Sequence, residues 1–273
     1  MRDWNWRGVR AIVEKDLYQV RQNTMIWLPM VILPVILQIV LPVFMILLPQ
    51  FAGDAEMEDI EPLLRMLPAA LNPSSPTTSP EALWVIVSSS YLFAPFFLIV
   101  PIMVSSILAA DSLVGEKERK TLEGLLYTPL TDAELYVAKA LVAILPALTL
   151  TLVSFLVYTI VVNAAGYSTV GRIFFPTLIW WPLVFWLAPA VSVAGLGVTV
   201  LISSKAKSFM QAQQTSGILV LPIVAWMAGQ ATGAFFLGPG LIMLVGLFVW
   251  LLGLWLIWIG TKTLARGNLI SRI

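Results

Sequence analysis

The sequence predicts an all-α polytopic membrane protein with six transmembrane helices. Three observations predict it. Of the 273 residues, 59% are hydrophobic and only 11% are charged, with a mean hydropathy of +0.90; a soluble domain carries roughly 25% charged residues. Five uncharged stretches, 22–53, 82–110, 140–171, 173–204 and 208–261, each reach the roughly 20 apolar residues that a bilayer-crossing helix needs. The basic residues, finally, fall almost all on one side of the membrane that those stretches imply.

The first four stretches hold one span each. The fifth is interrupted by Gly229-Gln230-Ala231-Thr232-Gly233 and then Gly238-Pro239-Gly240, so it holds two. The expected spans are about 25–48, 82–110, 140–162, 173–201, 209–229 and 240–261, in a single transmembrane domain over 1–273. An even number puts both termini on one side. That side carries Arg2, Arg7, Arg10, Lys15, Arg21, Lys117, Arg119, Lys120, Lys139, Lys205, Lys207, Lys262, Arg266 and Arg272, and leaves only Arg65 and Arg172 to the other. The positive-inside rule makes the first side cytoplasmic. The expectation is a multi-pass protein of the cell inner or plasma membrane with both termini in the cytoplasm.

Ahead of the first span, residues 4–22 alternate basic side chains with Trp4, Trp6, Val9, Ile12, Val13 and Leu17. This reads as an amphipathic helix along the cytoplasmic interface, with Trp4 and Trp6 as anchors and Arg7, Arg10 and Lys15 toward lipid headgroups; a plain charged leader that sets topology fits as well. The first apolar stretch is longer than a signal-peptide core and follows this charged segment, so no cleaved signal is expected. Between spans one and two, Asp54, Glu56, Glu58, Asp59, Glu61 and Glu81 make an acidic outer loop, and Ile60, Leu63, Leu64 and Leu67 recur at helical spacing. It is either a solvated loop or a vestibule for cations. The spans contain many prolines, which kink helices. Ala194-Gly195-Leu196-Gly197 suits close helix packing. The apolar Phe235-Phe236-Leu237 inside the Gly-rich patch points to an outer re-entrant hairpin between spans five and six.

Several chemistries are excluded. Cysteine and histidine are absent, which removes disulfides, thiol nucleophiles, Cys/His metal sites and histidine acid–base catalysis. No Asp, Glu, Lys or Arg falls inside an expected span, which counts against proton relays, charged filters and intramembrane aspartyl chemistry.

Charge returns in the island 111–139, which holds ten of the chain's charged residues between spans two and three. Residues 116–126 are good helix formers, with Glu116–Lys120, Glu116–Arg119 and Arg119–Glu123 at pairing distance along a helix. Pro129 ends that helix. Thr131 and Glu134 form a capping-box pattern that starts the helix leading into span three. A helix–break–helix knuckle at the cytoplasmic face is either a salt-bridged solvated loop or a contact surface.

The run 116–131, EKERKTLEGLLYTPLT, followed by Glu134 and Lys139, resembles the signature of ABC-2-type transporter permeases, the transmembrane subunits of ABC exporters of the type V fold. Six spans, cytoplasmic termini, an N-terminal amphipathic helix and an outer hairpin fit the same resemblance. The resemblance implies that the island is a coupling helix docking into a separate cytoplasmic ATPase subunit. It implies that Glu116, Arg119, Thr121, Glu123, Leu125 and Pro129 are ATPase-coupling positions, and that two permease chains, expected as a homodimer, complete the transporter. It also implies export. No G-x-x-x-x-G-K-[ST] phosphate loop occurs in the sequence, so ATP and Mg would be bound by the partner; this chain is expected to hold no cofactor or metal, to catalyse nothing alone, and to bind membrane lipid and no nucleic acid. The substrate class the apolar spans suit is hydrophobic or amphipathic, a lipid, drug or peptide, with a cation as the alternative the acidic loop suits. A stand-alone channel or secondary carrier is the competing reading.

Overall fold

The computed structural model describes residues 4–51, 79–119, 121, 128–231 and 238–263, and helices carry nearly all of them. Residues 54–61 of the acidic outer loop, Glu123, Leu125 and the centre of the expected outer hairpin lie outside the described residues. Helix α1 (Trp6–Gln22) starts where the Asn5 side chain accepts from the Gly8 N–H, and α2 (24–51) where Asn23 accepts from the Met25 N–H. Helix α3 (Pro80–Glu118) opens with Ser79 as cap, Pro80 in its first turn and Glu81 against the positive end of the helix dipole. Helix α4 (Asp132–Val170) begins with the expected capping box of Thr131 and Glu134 and ends at the left-handed Gly171. Helices α5 (Trp180–Ser203), α6 (209–231) and α7 (Pro239–Thr263) complete the chain.

Among the described residues five helices, α2, α3, α4, α5 and α7, are long and apolar enough to cross a membrane. Helix α6 is interrupted by a 3₁₀ turn at Gly217–Val220 and is not one of the five. The expected fourth span, 173–201, starts late: residues 171–179 precede α5.

Burial separates a centre from a periphery. The most apolar windows of α3 and α5 are 78% and 67% buried, against 22% for α2 and for α7, so α3 and α5 form the middle of the bundle. The peripheral helices turn Val31, Val35, Phe44, Leu244, Phe248, Leu251 and Trp255 outward, as a lipid-facing surface does. Close packing in the middle depends on the small residues seen in the sequence. A methyl group on Gly195 would stand 2.7 Å from Ser105 Oγ, and one on Gly197 would stand 2.7 Å from Leu256 Cβ.

Several of the prolines lie beside widened turns. Pi turns occur at Ile36–Val40, Ser88–Leu92, Asp111–Gly115 and Leu183–Leu187, three of them within a few residues of Pro34, Pro42, Pro95, Pro182 or Pro189. At Ser88–Leu92 the exposed backbone is served by side chains. The Tyr158 hydroxyl donates to Ser89 O at 2.7 Å and the Trp180 indole to Ser90 O at 2.9 Å. Pro95 has no N–H for Tyr91 O, and the Gln230 amide donates there instead, while accepting from Trp226 Nε1, both at 2.9 Å. Around Trp180, Tyr158 and Phe155 stack at 4.9 and 6.0 Å and Phe97 and Phe175 meet it edge-on at 5.2 and 4.8 Å. This aromatic core holds the end of the bundle remote from α1.

Candidate functional site

At the other end, α1, the last turns of α3 and the start of α4 meet around buried charge. The face that α1 buries is Val9, Ile12, Asp16 and Val20, one residue per turn or two along one stripe. Val9 and Ile12 pack with Leu130 and Ala138. Asp16 replaces the apolar residue that this register calls for, and its carboxylate is carried inward, 4% exposed.

Asp16 Oδ2 accepts from Lys139 Nζ at 2.8 Å and from Ser112 Oγ at 3.1 Å. Lys139 also stands 2.7 Å from Glu116 Oε2, and Glu116 Oε1 accepts from Lys15 Nζ at 2.9 Å. Lys15 closes the ring 3.0 Å from Asp16 Oδ1. Two carboxylates and two ammonium groups thus balance in a closed cycle spanning three helices. Glu116 is 1% exposed and Lys139 5%. Asp16 Oδ1 and Glu116 Oε2 are held by charge at ion-pair distance and are off the hydrogen-bonding direction. One turn along α3, Asp111 accepts from Arg119 at 2.8 Å.

The two partly exposed cations respond to this field. Burial works against the charge on Lys15, but its hydrogen bond to Glu116 and the attraction of Glu116 and Asp16 outweigh it, and its pKa lies above the ordinary lysine value. Arg119 is likewise raised: burial opposes its charge, and Asp111 first, then Glu116 and Asp16, more than compensate.

A second carboxylate joins helix starts. Glu134 Oε2 accepts from the Thr131 N–H at 2.7 Å and the Thr131 hydroxyl at 2.9 Å, while Glu134 Oε1 accepts from the Asn5 N–H at 2.6 Å. The same side chain therefore closes the α4 capping box and fixes the residue that caps α1. Glu118 Oε2 accepts from the Phe209 N–H at 2.9 Å, which ties α3 to the start of α6.

These contacts revise the expected pairings. Glu116 does not pair with Arg119; it reaches Lys15 and Lys139, and Arg119 turns back to Asp111. The physical reason is that Glu116 continues α3 on its buried face, where Lys15 and Lys139 reach it from other helices; the expected partner Lys120 lies outside the described residues. Of the helix expected over 116–126, α3 carries 116–118 and ends at Glu118, where the Thr121 N–H and hydroxyl both reach Glu116 O; residues 122–126 lie outside the described residues. Of the expected coupling positions, Glu116 is buried, Arg119, Thr121 and Pro129 are exposed, and Glu123 and Leu125 lie outside the described residues. Of the interfacial set, Trp4 and Trp6 are exposed with rings 5.8 Å apart and Arg7 is exposed. Arg10 pairs with Glu14 at 2.7 Å, and Lys15 points to the ion cycle and not to headgroups. Sequence reasoning passed over Asp16, Asp111 and Ser112. Asp16 had a signal, since it interrupts the stripe Val9, Ile12, Val20; Ser112 had none.

No group of three or more Asp or Glu among the described residues is arranged to hold a metal ion. The cluster is an arrangement of opposed charges suited to holding three helices together. Neither the comparison with curated proteins nor that with solved structures finds a match. The family model of the ABC-2 family transporter proteins matches residues 10–258, from within α1 to near the end of α7 and across the whole charged site. The chain is a multi-pass membrane protein that belongs to the ABC-2 transporter family, as a membrane permease of an ABC transporter.

Proposed function

We propose that the chain is the permease subunit of an ATP-driven exporter that moves a hydrophobic or amphipathic substrate out of the cytoplasm. A separate nucleotide-binding subunit supplies ATP hydrolysis, and a second copy of the chain completes the pathway. In this reading α6 is the sixth span, both termini are cytoplasmic, and the basic end carrying α1 faces the ATPase.

The observation that carries the reading is the closed ion cycle of Lys15, Asp16, Glu116 and Lys139. It binds α1 and the island to the entry of α4, so a push on the exposed surface of Arg119, Thr121 and Pro129 reaches the bundle without being absorbed by a slack loop. Those three residues, with Glu123 and Leu125, form the docking surface; Glu116 is a positioning residue behind it. The spans expected from the sequence carry no Asp, Glu, Lys or Arg to couple transport to an ion gradient, which favours an external motor over a secondary carrier.

The test is co-purification with the ATPase encoded beside the chain. Arg119→Ala is expected to weaken association, and Glu116→Gln to leave association in place while lowering substrate-stimulated ATP hydrolysis. If no ATPase associates with the intact chain, the carrier or channel reading takes its place.

A further inference from the structure

Helix α2 packs into the bundle along a seam that repeats every four residues: Ile26, Met30, Pro34, Gln38, Pro42 and Ile46 are all buried. Gln38 is the polar side chain in that seam. It is 3% exposed, and neither its amide nitrogen nor its amide oxygen has a hydrogen-bond partner among the described residues. In the middle of a membrane-crossing helix no bulk water is at hand, and an amide left dry there is costly.

The backbone of the same seam is also short of donors. Pro34 and Pro42 carry no N–H, so the carbonyls of Met30 and Gln38 lack the donors that an α-helix would place four residues on. The π turn Ile36–Val40 widens the helix at this point. It packs against the 94–110 part of α3 and against α4, where Pro101 and Pro146 remove the helical donors of Phe97 and Val142. Met30 shares one buried cluster with Val100 and Val104 of α3 and Ala143 and Ala147 of α4, so the seam of α2 faces a three-helix interface.

The occupant follows from the inventory. Carbonyl acceptors outnumber donors, so it must donate. The Gln38 amide offers both roles, so it can also accept. No Asp or Glu occurs in 24–51, 82–110 or 140–170 to balance a cation, and the carbonyls disfavour an anion. A small neutral donor–acceptor remains, which is water.

We propose that the seam between α2, α3 and α4 around Gln38 is an internal hydration site. Ordered water there donates to the proline-freed carbonyls and bonds the Gln38 amide. Water-mediated bonds can be exchanged as helices shift, so the site gives α2 a place to bend without stranding backbone groups. The proposal requires the membrane placement of α2 and is independent of any ATPase partner.

X-ray radiolytic labelling of the full chain in lipid nanodiscs tests it, because hydroxyl radicals form from bound water in place. The segment 34–42 is expected to be labelled, while Ile26 and Ile46, both 1% exposed, serve as dry controls and Met25, 81% exposed, as the positive one. Loss of that labelling in Gln38→Leu is expected. A segment 34–42 as unlabelled as Ile26, with Met25 labelled, overturns the proposal; this arm needs no variant to fold. Thermal unfolding of Gln38→Met gives a second reading. A hydrated amide predicts a lower unfolding temperature, because the water loses its partner. An unchanged or raised temperature, as expected when a dry unpaired group is removed, overturns it.

Discussion

Lys139 has two carboxylates to neutralise and almost no water around it, so its removal leaves buried Asp16 and Glu116 to share the half-exposed Lys15. Breaking a buried pair from one side costs about 3–5 kcal/mol, much more than the pair contributes against an apolar replacement. Lys139→Met is therefore expected to destabilise the purified chain by about that amount in denaturant titration, and the double variant Lys139→Met with Asp16→Asn to recover part of the loss; equal losses that simply add would show that the two side chains are not coupled. Lys15 sets the alkaline limit of the same cycle. Its folded pKa is raised, so its contribution is complete below the ordinary lysine value of roughly 10.4 and is lost only as pH rises through the folded value. Protease protection of α1 should accordingly stay constant from neutral pH to about pH 10 and fall above it.

At the scale of elements, α1 is a docked helix with two fastenings. One is the ion cycle and the other is Glu134, which caps α4 and holds Asn5. Glu134→Ala should loosen both starts at a cost of about 1–2 kcal/mol, the size of a lost cap, and raise hydrogen exchange in the first turns of α1 and α4 together; exchange rising in α4 alone would separate the two fastenings. The widened turn of α3 makes a second test. Tyr158→Phe strips the donor from Ser89 O and leaves a buried carbonyl unserved, for a loss of about 1–3 kcal/mol in unfolding of the full chain. The capping box at Thr131–Glu134 was legible in the sequence because it is a local pattern with one geometry. The pairing of Glu116 was not legible, because helical spacing offered it Arg119 and Lys120 while tertiary packing offered it Lys15, 101 residues away.

For the whole molecule, the arrangement is a bundle closed at both ends by different chemistry. Aromatic stacking around Trp180 closes one end, and opposed charges among α1, α3 and α4 close the other. The first is insensitive to salt, and the second is buried enough to be screened only weakly. Deleting residues 1–22 removes Lys15 and Asp16 and exposes Glu116 with Lys139. The shortened chain is expected to insert in the membrane but to lose ATP hydrolysis stimulated by substrate in the reconstituted complex. Full stimulation without α1 would remove the ion cycle from the drive train.

The sequence by itself determined that the chain is helical, crosses a membrane and concentrates its Lys and Arg on one side, because hydropathy, length and the distribution of Lys and Arg are properties of composition along the chain. It also determined the helix start at Thr131, where a side chain serves the backbone within three residues. Tertiary structure alone decided which charges meet, that Glu116 faces inward while Arg119 and Thr121 face outward, that Asp16 belongs to the site, and that Gln38 is enclosed. Each of these depends on which face of one helix meets another. Helical periodicity defines the face, but the partner is selected by packing over long sequence separations, where small residues such as Gly195 and widened turns such as Ser88–Leu92 set how closely the helices approach.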